Sequence, residues 1–418
     1  MVQLPKMYRV TQTFERPKVN DIPAAVRQEL VSLGLDKKIA KGSRIGITVG
    51  SRGIQNLIPM ISTAVDFVKK LGAEPFLLAA MGSHGGGTEK GQKEVLDSLG
   101  ITEEALGAKV LTCADCEVIS HTSGGLPVFI VKSAMTLDGI IIINRVKTHT
   151  SFKAKVESGL IKKLVVGLGG PMGAQQFHSF GQEELKHLIV EIGQVILNKL
   201  PVLGGLAIIE NAYEETALVQ GVASAGMVEK EAELLLYSKS LMPSLPAEKI
   251  DLLIIQEMGK NFSGTGVDTN IIGRLRIPGV PEPEKPNITR VAVLDISEES
   301  HGNATGVGLT DFVTKKLVDK MDRKATYLNV LTSTFVMRAA IPMYFDTEEK
   351  LLEAALYSMC SIPAEKLRIV IIPNTLYLTE CLVSEAVVGE LRNKAGIGIG
   401  DSPEEFKFGP DGSLMLKI

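Results

Sequence analysis

Apolar positions recur along this chain in two rhythms. Short β-branched runs read as buried strands at residues 44–50 (RIGITVG), 74–81 (EPFLLAAM) and 139–144 (GIIIIN). Between the first two, Leu57, Ile61, Ala64, Val65, Val68 and Leu71 fall at helical spacing, and Gly72 sits where a C-cap belongs. Residues 88–99 read as the next helix, with Thr88 as its N-cap. Strand, helix, strand, helix predicts a parallel sheet with helical crossovers. The same reading places strands at 128–131, 205–210, 251–256, 289–296 and 367–372, and helices at 183–200, 228–237, 309–322 and 347–359. Around 239–249 the text turns polar and proline-bearing (KSLMPSLPAEK), which predicts a domain boundary. The expected architecture is α/β: two α/β domains with mostly parallel sheets, residues 1–245 and 246–418, with the active site in the interdomain cleft.

Composition narrows the function. At 45% hydrophobic and 22% charged, 418 residues can fill two large cores, which excludes a disordered or collagen-like chain. A balance of 45 basic and 48 acidic residues, 5% aromatics and no Trp give no argument for nucleic acid. Four cysteines are too few for a disulfide framework, and Cys113-Ala114-Asp115-Cys116 has no second pair at zinc spacing, so two ordinary cysteines are expected. The first residues lack an apolar signal core, and no apolar run approaches the ~20 residues of a membrane span. The expectation is a cytoplasmic protein without nucleic-acid or membrane partners.

Several strand ends carry chemistry. Ligands of open α/β sheets bind outside the C-terminal ends of strands. Gly82-Ser83-His84-Gly85 lies at such an end, before a helix whose N-terminus favours an anion. It also reads as a plain glycine turn. Arg52, in Gly50-Ser51-Arg52-Gly53, can fork onto a carboxylate or phosphate, or be a surface arginine. His149 follows the third strand. From Arg145 to Lys163 there are six basic residues and one acid, which suits an anionic ligand or a solvated basic face. Lys162 and Lys163 enter an apolar, glycine-bounded stretch. There a desolvated amine becomes a nucleophile, unless the stems merely snorkel. His178 follows, a candidate metal ligand. His187 reads as structural, and His121 and His301 lie in polar loops. In the second half, Lys260, Asp268, Asn270 and Arg276 line a glycine-rich segment after the strand at 251–256.

In this order, Gly82-Ser83-His84, Lys147-x-His149, Ser158-Gly159-x-x-Lys162 and His178 resemble the nickel-pincer lactate racemase family. The sixteen-residue spacing of Lys162 and His178 matches that family's reactive lysine and metal-binding histidine, whereas Lys163 is one residue out. The resemblance covers residues 40–210 and is looser beyond. It implies an isomerase: a nickel-dependent racemase or epimerase of a 2-hydroxy acid. The implied cofactor is nickel with a pyridinium-3,5-bisthiocarboxylic-type mononucleotide, the nickel pincer, linked covalently to Lys162. His178 would complete the metal's ligands, and His84 and His149 would be the two catalytic bases. Arg52, Lys163, Gly82, Ser83 and Gly85 would help hold the cofactor. Arg52, Lys260, Asp268, Asn270 and Arg276 would bind the substrate. The implied partners are that small-molecule acid and the enzymes that make the cofactor. The first domain would hold the cofactor and the second would close over the substrate.

The chain also departs from the family. Where the family has Asp-x-Thr-Arg-Pro, it has Val49-Gly50-Ser51-Arg52-Gly53. Thr-His-Arg-Pro becomes Ser83-His84-Gly85-Gly86. The family's substrate-binding Gln and Lys fall on Gly273 and Arg276, which predicts an acid larger or more anionic than lactate. Two rival readings stand beside this one: a related redox enzyme using another mononucleotide, and a non-catalytic anion- or metal-binding protein of the same fold.

Overall fold

The computed structural model describes residues 4–359 and 362–418. It divides into two compact units, one formed by Arg16–Met242 and the other by Pro243–Ile418 with the residues up to Glu15. No helix among the described residues is long and apolar enough to cross a membrane.

The Arg16–Met242 unit is built on a six-stranded sheet. Its order is Lys109–Leu111, Glu74–Ala79, Arg44–Val49, Gly139–Arg145, Val202–Glu210 and Thr216–Val222. The first five strands are parallel and the last is antiparallel. The sheet therefore winds outward in both directions from Arg44–Val49, and the winding reverses between that strand and Gly139–Arg145. Such a reversal opens a crevice at the strands' C-terminal ends. Both faces are covered, so the strands are apolar throughout. Ile141 and Ile143 pack into the core beneath the Leu57–Lys70 helix, and Ile140 and Ile142 into the core beneath Leu160, Ile161 and Leu164. Gly72 adopts φ 75° just past that first helix, and Thr88 Oγ1 accepts the N–H of Gly91 at 3.1 Å, as their sequence positions predict. The strand expected at 128–131 is Pro127–Val131, but it pairs only with Cys116–His121, as a hairpin outside the main sheet.

The other unit holds an eight-stranded sheet. Its order is Met343–Phe345, Phe312–Thr314, Asn287–Ile296, Lys249–Met258, Ile369–Ile372, Glu380–Ser384, Met7–Gln12 and Ile397–Ile399. The first five pair in parallel and the last three pairings are antiparallel, so Glu380–Ser384 and Ile397–Ile399 run against the other six strands. The chain's first strand thus lies in this sheet, not in the unit of residues 1–245 that the sequence led us to expect. Its alternation is short and sits among charges, yet Met7 and Val10 are fully buried against this core. The helix expected over 309–322 is a short strand, Phe312–Thr314, followed by a helix only at Lys315–Lys320. Phe312 and Val313 pair with Ala292 and Val293, and Thr314 Oγ1 caps the helix at the N–H of Leu317.

Candidate functional site

The crevice at the reversal in the Arg16–Met242 unit collects the candidate residues of the first half. One wall is the segment after Arg44–Val49, with Ser51 and the exposed Arg52. The other is the segment after Gly139–Arg145, which runs through Lys147 to His149. The floor is an unusual helical stretch. Leu160–Lys162 forms one α turn, Lys163–Leu168 is a π-helix, and Gly170–His178 is a new α-helix. A π-turn widens the helix and is found mostly where function fixes a side chain's direction.

The two lysines diverge. Lys163 is 8% exposed, and its Nζ lies 3.4 Å from the carbonyl oxygen of Ala80, beneath Gly50. A side chain at Gly50 would collide with that ammonium. Burial lowers the Lys163 pKa to about 8. Lys162 is half-buried. Its pKa is also lowered to about 8, first by burial and then by the charges of Arg52 and Lys147. Lys162 therefore shares a cationic pocket with Arg52 and Lys147, and a sizeable fraction of its amine is unprotonated near pH 8. His178 belongs to the same pocket: burial, and then the charge of Lys162, lower its pKa to about 4. The His178 imidazole is neutral at physiological pH, the form that binds metals.

His149 is held by its neighbours. Its N–H donates to Glu157 Oε2 at 2.6 Å, and its Nδ1 accepts the N–H of Ser151 at 3.0 Å. Its ring lies 4.3 Å from Phe152, which is 6.3 Å from Phe177, itself 5.6 Å from His178. A row of aromatic contacts thus joins the His149 loop to the His178 helix. His84 is exposed at the tip of its strand end, its N–H bonded to the Met81 carbonyl.

The glycines around His84 serve close packing. Gly82 (φ 58°) donates its N–H to the Gly167 carbonyl at 3.1 Å, and a Cβ there would lie 2.9 Å from the Val166 oxygen. Gly85 packs against the backbone of Gly91. These contacts seat the His84 strand end directly on the π-helix. Ser83 is half-buried beside them.

Sequence reasoning missed four acids. Glu210, at the end of its strand, pairs with Arg145 and accepts the N–H of Gln55 at 2.7 Å. Glu214 takes a left-handed backbone (φ 59°). Burial and the charge of Glu210 hold its carboxyl above the usual range, against the pull of Arg145 and Lys147. Glu157, 1% exposed, also accepts Lys239 at 2.9 Å. Glu231 is 1% exposed on the helix Met227–Ser240. Its signal was present in the sequence: it shares a helical face with Val228, Leu234 and Leu235, all buried.

In the other unit the expected substrate residues serve the fold. The Arg276 guanidinium donates to the carbonyls of Gly308 (2.8 Å) and Thr310 (3.1 Å) and to Asp311 (2.6 Å). Asp268 caps the turn Thr269–Ile272 by accepting the N–H and the side-chain amide of Asn270. Lys260 bonds Asn329 Oδ1 at 2.6 Å and the Gly264 carbonyl. Gly273 (φ 61°) ends the turn with its Cβ position against Pro286, so its small size is a backbone requirement. Gly273 and Arg276 therefore give no ground for an acid larger or more anionic than lactate.

Among the described residues no group of three or more His, Cys, Asp or Glu could hold a metal ion. A metal held at His178 would have to bring most of its ligands with it. One neutral imidazole beside one amine of lowered basicity fits a metal carried by an organic ligand attached to that amine.

A family model described as a domain of unknown function, DUF362, matches residues 57–228, less than half of the chain. No match to a curated protein was found by sequence. Among solved structures, the lactate racemase apoprotein from Thermoanaerobacterium thermosaccharolyticum superposes with a TM-score of 0.53 at 13% identity, over 90% of this chain and 94% of that one. The chain is therefore similar in fold, along nearly its whole length, to a lactate racemase apoprotein.

Proposed function

We propose that this protein is an isomerase that racemises or epimerises a 2-hydroxy acid, with Lys162 carrying a nickel pincer mononucleotide and His178 binding its nickel. The observation that carries this reading is the convergence of Lys162, His178, Arg52 and Lys147 at the sheet's reversal point. The likeness in fold to a lactate racemase apoprotein supports it. When bound, the pincer would supply a reversible acceptor for the substrate's α-hydride.

The chain's own residues would do the rest. Arg52 grips the substrate carboxylate, and Lys147 meets the mononucleotide phosphate. Inversion needs a proton taken from the hydroxyl on one face and returned after the flat keto acid has been approached from the other. Two imidazoles suit that exchange, because their unperturbed pKa of ~6.5 lets them take and return a proton near neutrality. His84 and His149 fill these roles.

The test follows optical rotation and α-deuterium retention for a panel of 2-hydroxy acids, using protein loaded in a host that makes the pincer. His84→Ala and His149→Ala should each abolish turnover. A protein that binds the acids without inverting any, with binding unchanged in both variants, would be the non-catalytic binder instead.

A further inference from the structure

The helix Met227–Ser240 carries a carboxyl that packing alone does not require. Its other acids near the lysine segment are paired: Glu229 with Lys155 at 3.0 Å and Glu233 with Lys230 at 2.7 Å. Glu231 is not paired in this way. Its Oε2 accepts the N–H of Ile161 at 2.8 Å, and its Oε1 has no hydrogen-bond partner among the described residues. Burying such a group without a counter-charge is unfavourable, where a leucine would fill the same helical face at no such cost.

The carboxyl's position explains its presence. Ile161 immediately precedes Lys162, in an α turn of three residues that leads into the π-helix. A turn that short has little stability of its own. Residue 159 is glycine, and a Cβ there would collide with both carboxyl oxygens of Glu231. The lysine turn reaches the helix because Gly159 lets it. Burial raises the Glu231 pKa to about 7, and the N–H groups of Ile161 and Leu160 pull it back.

We propose that Glu231 is the positioning residue of the lysine turn: by accepting the Ile161 N–H it fixes the turn that ends in Lys162 and so holds that amine beside Arg52, Lys147 and His178. The proposal rests on Lys162 being the reactive amine of the reading above.

The experiment uses the full chain without cofactor and pyridoxal 5′-phosphate as probe. The Lys162 nitrogen adds to the probe's aldehyde carbon, water leaves, and borohydride then delivers hydride to the imine carbon. Peptide mass mapping reads the label at each lysine at pH 8. In Glu231→Ala and Gly159→Ala, labelling of Lys162 should fall at least about ten-fold as the released amine recovers its ordinary basicity. The exposed Lys90 should be unchanged, and amide exchange at Ile161 should accelerate. Glu231→Gln keeps an acceptor oxygen and should label within about two-fold of the parent. A folded Glu231→Ala with parental Lys162 labelling and Ile161 protection overturns the proposal. Should that variant not fold, parental labelling in Gly159→Ala overturns it equally. The readout needs neither nickel nor the pincer, so a failure of this positioning role is told apart from a failure of the racemase reading.

Discussion

Lys162 and His178 lie sixteen residues apart, yet the His178 pKa, lowered first by burial, is lowered further by the charge of Lys162. On a straight α-helix that separation is about 24 Å along the axis and about 160° around it, nearly opposite faces. The π-helix Lys163–Leu168 and the left-handed Gly170 (φ 62°) interrupt that straight path, and the two side chains lie within electrostatic reach of one another. Inserting one alanine after Val166 should therefore separate them. The His178 imidazole, followed by NMR, should then titrate above 4 as the Lys162 charge recedes, while burial still holds it below its ordinary value. A titration still near 4 would mean that the π-turn has no part in their approach.

Lys163 is a buried cation with one long hydrogen bond. Its folded pKa, about 8, lies below its ordinary 10.5, so the folded state binds fewer protons between those values and its penalty fades as pH rises through that window. Lys163→Met should raise stability by roughly 1–3 kcal/mol at pH 7 and by less at pH 10. Urea unfolding at both pH values checks this, and a loss at pH 7 would show that Lys163 has a counter-charge in the fold.

Glu231 gives the opposite slope. Its folded pKa, about 7, lies above the ordinary 4.5, so its contribution is intact below pH 4.5 and is lost as pH rises toward 7, by roughly 3 kcal/mol. The stability of Glu231→Gln should show that much less decline between pH 4.5 and pH 7. Parallel curves for parent and variant would contradict the assignment.

Gly82 holds φ 58° with a carbonyl 2.9 Å from where a Cβ would stand. Gly82→Ala should cost about 2–3 kcal/mol in the protein without any ligand, measured by thermal unfolding. A neutral result would return this glycine to a role in ligand contact alone.

Much of the fold was legible because buried parallel strands write themselves as continuous apolar runs. Residues 44–50, 74–81 and 139–144 did so, and with them came the strand ends that carry Arg52, His84 and His149. The strand Met7–Gln12 was not legible, because which sheet a short amphipathic strand joins is a long-range matter decided by Glu380–Ser384. The π-helix was equally hidden: it lies against Gly82 and Ala80, distant in sequence, and such contacts leave no local signal. Arg276 shows the reverse failure. An arginine in a glycine-rich loop looked available for substrate, but Asp311 and two carbonyls occupy its guanidinium.

In the proposed racemase, Lys162 carries a metal-bearing mononucleotide. The most direct test is intact mass with peptide mapping and metal analysis on protein from its native host. A loaded racemase should show a mononucleotide-sized adduct on Lys162 and about one nickel per chain. An unmodified Lys162 without nickel, from cells shown to make the pincer, would contradict it.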